Sequence, residues 1–170
     1  MNLYLRLIYT ILVSRWQGRA TLQEEQRLSF RTWPHDLDIN LHMNNGRYLT
    51  LMDLGRMQLM AHLGLFGSIF TKGWMPVIGF VHMRFRRSLA PFRAFTLSTR
   101  LVAWDEKWFY IEQKFTCGDE LMALGLVKGL IRSRKGNVPV TTLLEIIGEG
   151  KAVSGPIPEA FRGQNSEPSS

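Results

Sequence analysis

Between Trp33 and Tyr48 the chain gathers two aspartates (Asp36, Asp38), two histidines (His35, His42), three asparagines (Asn40, Asn44, Asn45) and Gly46 into one short polar stretch. An apolar segment follows at once, from Tyr48 to Phe66. A polar loop feeding directly into a buried helix can hold a carboxylate near the free amides at the helix N-terminus. That arrangement suits chemistry on a carbonyl group. Asp36 and Asp38 would point the same way in extended chain, so they could form an acid/base pair, each raising the other's pKa. A supporting hydrogen-bond role for Asp36 is the reading we prefer. Taken alone, an aspartate in such a loop is as readily a turn or cap residue.

The stretch resembles the Asp-x-Asp-x-x-Gly-His-x-Asn-Asn-x-x-Tyr signature of hotdog-fold acyl-CoA thioesterases, the group typified by 4-hydroxybenzoyl-CoA thioesterase. It matches at Asp36, Asp38, His42, Asn44, Asn45 and Tyr48, with Leu41 where that pattern usually has glycine. The resemblance implies Asp38 as nucleophile or general base and the backbone N–H of Asn45 as oxyanion donor. It makes His42 more a loop-stabilising residue than a base. Substrate contacts are expected from His42, Asn44, Gly46 and Tyr48, Gly46 being small enough for an acyl or pantetheine group to approach its backbone. Arg84 and Arg86 lie near a strand end, where they could meet coenzyme A phosphates or simply keep a sheet edge soluble. No cofactor is implied, coenzyme A arriving as part of the substrate, and the family works as homodimers or homotetramers. A non-hydrolytic acyl- or acyl-CoA-binding protein is the alternative. A hotdog dehydratase is disfavoured, because that branch relies on a histidine in another motif.

The elements around the loop are legible from periodicity. Gln26 to Trp33 alternates polar with apolar, as a half-buried strand does, and Pro34 ends it. From about Asn45 to Gly64, Tyr48, Leu51, Met52, Gly55, Leu59 and Leu63 recur at helical spacing, and Leu49, Leu54, Met57 and Met60 fill much of the other side. A helix so apolar all round must be enclosed, as by a sheet curling about it. Four strand-like runs follow, around 77–86, 95–103, 109–115 and 121–131, joined by short turns that favour antiparallel neighbours. The last run is apolar enough for a central strand. A final helix is expected over Val140 to Ile147. One strand, one long helix and four antiparallel strands is an α+β order; the resemblance names it a hotdog fold, an antiparallel sheet wrapped around a long central helix.

The predicted domain spans 25–149. Residues 1–24 form an N-terminal apolar segment and a polar linker, and 150–170 a tail rich in Gly, Pro and Ser, read as disordered or draped on the surface. Met1 to Trp16 is apolar with Arg6 and Arg15 interspersed and is too short to span a bilayer. It fits either a helix packed on the domain or peripheral membrane contact. A chain of 170 residues with 45% hydrophobic content can build one substantial core. Its single cysteine, Cys117, excludes an internal disulfide and points to a reducing, cytoplasmic compartment. The net charge of +7 suits an anionic ligand such as coenzyme A or an anionic membrane. Scattered basic residues without a recognition motif speak against nucleic acid. No His, Cys and Asp spacing makes a zinc site, so no metal is expected. A Gly-x-Ser-x-Gly elbow is absent, as are the dinucleotide and phosphate-loop glycine patterns.

Overall fold

The computed structural model describes residues 21–162. Its first strand, β1 (Gln26–Arg31), buries Gln26, Leu28 and Phe30 on one face, as strict alternation requires. After a 3-10 turn at Pro34–Asp36 the polar loop enters the long helix α1 (Asn45–His62). A short helix, α2 (Leu65–Lys72), comes next. The strands β2 (Met75–Phe85), β3 (Ala94–Trp104), β4 (Phe109–Cys117), β5 (Glu120–Ser133) and β6 (Gly136–Val138) then lead to α3 (Val140–Ile147). The sheet order is β1-β3-β4-β5-β2, with β6 beside β5, and all pairings are antiparallel. The sheet curls about α1 in the hotdog arrangement.

Packing of α1 on the sheet accounts for the core. Tyr48, Leu51, Met52 and Leu59 meet Leu28, Leu97, Phe115 and Val127, all nearly solvent-free. Gly55 lies where α1 comes closest to β3 and β4: a Cβ there would stand 2.4 Å from Thr99 Oγ1 and 2.8 Å from Gln113 Nε2. Burial of polar groups at this contact is matched by hydrogen bonds. Gln113 Nε2 donates to the Met52 carbonyl and to Thr99 Oγ1, both at 3.0 Å, while Arg56 Nη1 donates to Gln113 Oε1 at 2.8 Å. Arg56 also pairs with Asp53. Enclosure of the helix is incomplete within one chain, since Leu49 is exposed.

Several features differ from the reading of the sequence. The helix ends two residues earlier than Gly64, which adopts φ +72° and turns the chain into the unanticipated α2. Leu65 and Ile69 anchor that helix in the core. Leu22, inside the supposed polar linker, is also buried there, so the packed domain begins before residue 25. Of the two readings of the tail from residue 150, the chain through Arg162 follows the draped one and lies on the outer face of the sheet. Phe161 packs with Ala103 and Tyr110, and Ser154 Oγ bonds both the N–H and the carbonyl of Trp104 at 2.7 Å. Residues 163–170 and the Met1–Trp16 segment lie outside the described residues. The apolar run of β5 includes one charge, Lys128, only 1% exposed. Its ammonium sits over the rings of Trp108, Phe80 and Tyr110 at 4.7–5.9 Å, a cation–π cage. Among the described residues no helix is long and apolar enough to cross a membrane.

Candidate functional site

The loop from Trp33 to Asn44 doubles back on itself. Leu37 forms an antiparallel bridge with Met43, and the Asp38 N–H donates to the His42 carbonyl at 2.9 Å. The Asn44 N–H donates to the Asp36 carbonyl at 2.8 Å, so the chain of 36–38 runs alongside 42–44. In this hairpin Asp36 lies beside Asn44 at the start of α1, and Asp38 lies opposite His42, nearer the tip. The Met43 N–H donates to the Leu89 carbonyl at 2.9 Å and ties the loop to the segment after β2.

The two aspartates have separate surroundings. Asp36 is buried, and its Oδ2 accepts the Trp33 N–H at 2.9 Å. Its Oδ1 faces Arg47 Nε at 3.5 Å and His35 Nε2 at 3.6 Å. A carboxylate held in this way locks the loop to the first turn of the helix. Asp38 is half-buried at the tip. Its Oδ1 accepts the Asn40 N–H at 2.8 Å, an Asx turn. Its Oδ2 has no partner among the described residues and is available to a substrate or a water.

Asn44 caps α1, its Oδ1 accepting the Gly46 N–H at 2.8 Å. Glycine suits position 46, since a Cβ would press on that same oxygen at 3.1 Å. The backbone N–H of Asn45, first residue of the helix, makes no hydrogen bond among the described residues. It carries part of the positive end of the helix dipole. Beside it opens a cleft of about 150 Å³ lined by Met43, Asn45, Tyr48, Phe85, Arg86, Arg87 and Ser88. Of the residues singled out from the sequence, Asn45, Tyr48 and Arg86 meet here. Arg84 lies on the exposed end of β2, and His42 presents an exposed imidazole on the loop outside the cleft lining. Tyr48 is buried edge-on against Phe85 and Phe115, with ring centroids 5.1 and 4.8 Å away. Burial pushes its phenol up to about 12, so it stays protonated at neutral pH and cannot serve as a base there. Met43, Phe85 and Ser88 were not anticipated. Only Phe85 left a signal, as an aromatic at a strand end next to Arg84 and Arg86. Among the described residues no three His, Cys, Asp or Glu side chains come together to hold a metal ion.

The departure at Leu41 has a structural counterpart. Its φ is +58°, in the left-handed region where glycine is unstrained, and the side chain is 66% exposed. The leucine therefore strains the loop by about 1 kcal/mol without burying apolar surface in the described chain. Leu41→Gly is expected to raise the melting temperature by roughly 2–4 °C, the strain relief exceeding the extra unfolded-state entropy. A lower melting temperature would show that the leucyl side chain makes contacts that offset the strain.

Over 94 residues the chain is 42% identical to Protein THEM6 of Xenopus laevis, covering 55% of this chain and 45% of the relative. A probable thioesterase of Saccharomyces cerevisiae is 29% identical over 119 residues, covering 68% of this chain and 51% of that protein. The chain thus spans about half the length of these relatives. A DHNA-CoA thioesterase from Staphylococcus aureus superposes with a TM-score of 0.66 at 11% identity, over 75% of this chain and 88% of that one. That likeness establishes the shared fold. The model of the thioesterase-like superfamily matches residues 32–163, from the strand end before the loop through the draped C-terminal segment, and the chain belongs to that superfamily.

Proposed function

We propose that this chain is an acyl-CoA thioesterase, hydrolysing an acyl-CoA thioester to the free acid and CoA. Two observations support the reading: Asp38, on the loop that leads into α1, keeps one carboxylate oxygen uncommitted, and the Asn45 N–H at the capped helix start has no hydrogen-bond partner among the described residues. Asp38 either removes a proton from the attacking water or attacks the carbonyl itself, giving an acyl-enzyme anhydride that water then cleaves. In both routes the carbonyl oxygen becomes an oxyanion facing the Asn45 N–H and the helix dipole. Collapse of the tetrahedral intermediate expels the CoA thiolate, which takes up a proton from solvent. Arg86 at the cleft, with Arg84 nearby, supplies cationic groups for the CoA phosphates. Asn44 and Gly46 hold the helix start in place for this chemistry, while His42 borders the substrate's approach.

The reading includes a homodimer. β2 pairs only with β5, and its other edge is unpaired among the described residues, with Phe80, Val81 and Phe85 between 37% and 44% exposed. A long apolar strand edge of this kind calls for a partner, and a twofold axis across it would extend the sheet over two chains. Sedimentation at micromolar concentration is expected to give a dimer or a dimer of dimers. A fully active stable monomer would overturn that part.

Mass spectrometry after incubation with acyl-CoA tests the chemistry. Free acid and CoA should appear in equal amounts. Intact acyl-CoA retained on the protein, with no acid formed, would favour the acyl-binding alternative.

A further inference from the structure

The corner where α2 meets β2 presents an apolar and cationic surface that the hydrolytic site does not use. Leu65 and Ile69 bury one face of α2, while Phe66 and Phe70 stack at 5.6 Å on the other, and Phe70 is 74% exposed. Gly73, at φ +61°, then reverses the chain. Across that reversal the Lys72 ammonium stands 4.8 Å from the centre of the Trp74 ring, and Met75 beyond it is exposed. No aspartate or glutamate occurs anywhere between Leu54 and Trp104, although basic residues recur throughout, so no acidic residue of α2 or β2 offsets Lys72. An exposed phenylalanine stacked on a half-buried one, a half-buried tryptophan and a lysine with no carboxylate on its own elements form a composition that settles at the headgroup level of an anionic bilayer.

The path of the chain adds a second observation. Leu22 lines the same apolar cavity as Leu63 and Leu65, which places the beginning of the described chain beside α2. Separated from it by the five residues Gln17 to Thr21, the apolar stretch Met1 to Trp16, punctuated by Arg6 and Arg15, lies upstream in the sequence. A single short apolar segment binds a bilayer only marginally and reversibly, and stable attachment takes two signals. Two contacts tethered close together reinforce each other through their effective concentration.

We infer that the α2 corner, made by Phe66, Phe70, Lys72 and Trp74, is a contact surface for an anionic lipid bilayer and acts together with the N-terminal segment. The surface docks the domain by its α2 end, while the Asp38 loop is carried at the opposite, N-terminal end of α1. The inference is independent of the hydrolytic reading.

Flotation of the full-length chain with vesicles tests it, using phosphatidylcholine alone and phosphatidylcholine mixed with phosphatidylserine. The wild type should partition more strongly onto the mixed vesicles. Phe70→Glu and Lys72→Glu, both at exposed positions, should each lower that partition about tenfold. Melting temperature and turnover of a short-chain acyl-CoA should not change in either variant. Equal partition of Phe70→Glu and wild type onto the mixed vesicles would overturn the inference. So would equal wild-type partition onto both vesicle types. A variant that lowers the sedimentation coefficient in the absence of lipid would also overturn it, since the corner would then join two protein chains.

Discussion

Replacing Gly55 by alanine is expected to destabilise the fold by roughly 3–5 kcal/mol, against a helix-propensity gain of only about 1 kcal/mol. The new methyl would lie 2.4 Å from Thr99 Oγ1, 2.8 Å from Gln113 Nε2 and 3.2 Å from Leu97 Cδ2, so something must move. If Gln113 gives way, its bonds to Met52, Thr99 and Arg56 are lost in a solvent-free site. If α1 lifts instead, the packing of Leu51, Met52 and Leu59 on the sheet loosens along the whole helix. Each kcal/mol corresponds to about 2–4 °C in a domain of this size, so thermal unfolding should show a fall on the order of 10 °C or more. A variant melting within a degree of wild type would show that helix and sheet stand further apart than described here. Activity would fall with it, because the same helix presents Asn45 to the cleft.

That glycine illustrates how much the sequence discloses. Its place on the apolar face of a helical repeat is visible, but the reason for it lies in Thr99 and Gln113, more than forty residues further on. The five longer strands and both expected helices were legible, β5 from its continuous apolar run and the others because each repeats its apolar side chains at a period of two or near four, whereas the three-residue β6 was not read. The helix α2 was not, since Gly64 masks it as the tail of a longer helix and only two of its residues, Leu65 and Ile69, face inward. Lys128 hid within an apolar run because its cage is assembled from two strand-borne rings, Phe80 and Tyr110, and Trp108 in the turn before β4, which periodicity cannot bring together. The C-terminal segment looked loose because Ile157 and Phe161 are isolated apolar residues among Gly and Pro, yet each reaches the outer face of the sheet. At the site, the loop's importance was legible from composition alone. The division of labour between its aspartates was expected, but the partners that would enforce it were not visible. Only the doubled-back chain reveals that Asp36 is committed to Trp33 and Arg47 while Asp38 keeps an oxygen available.

Asp38→Asn is the substitution expected to act most strongly on the chemistry. The amide keeps the size of the side chain and can still accept the Asn40 N–H through its oxygen, so the turn and the folded state should persist. It is neither a base nor an oxygen nucleophile at neutral pH. Loss of general-base catalysis alone is worth about 10²–10⁴ in rate, and loss of a covalent route would add to it. The fall should appear in kcat, with KM little changed, because the cleft residues and the arginines remain. Melting temperature should shift by less than about 2 °C, as for a half-exposed polar exchange.

Thiol release from a panel of acyl-CoA substrates, followed continuously for wild type and Asp38→Asn under identical conditions, decides whether Asp38 carries the hydrolysis. The wild type is expected to release CoA catalytically from at least one of them, and the variant, folded and still able to bind that substrate, to be slower by a factor of about 10² or more. A folded variant that turns over as fast as the wild type would contradict that role for Asp38.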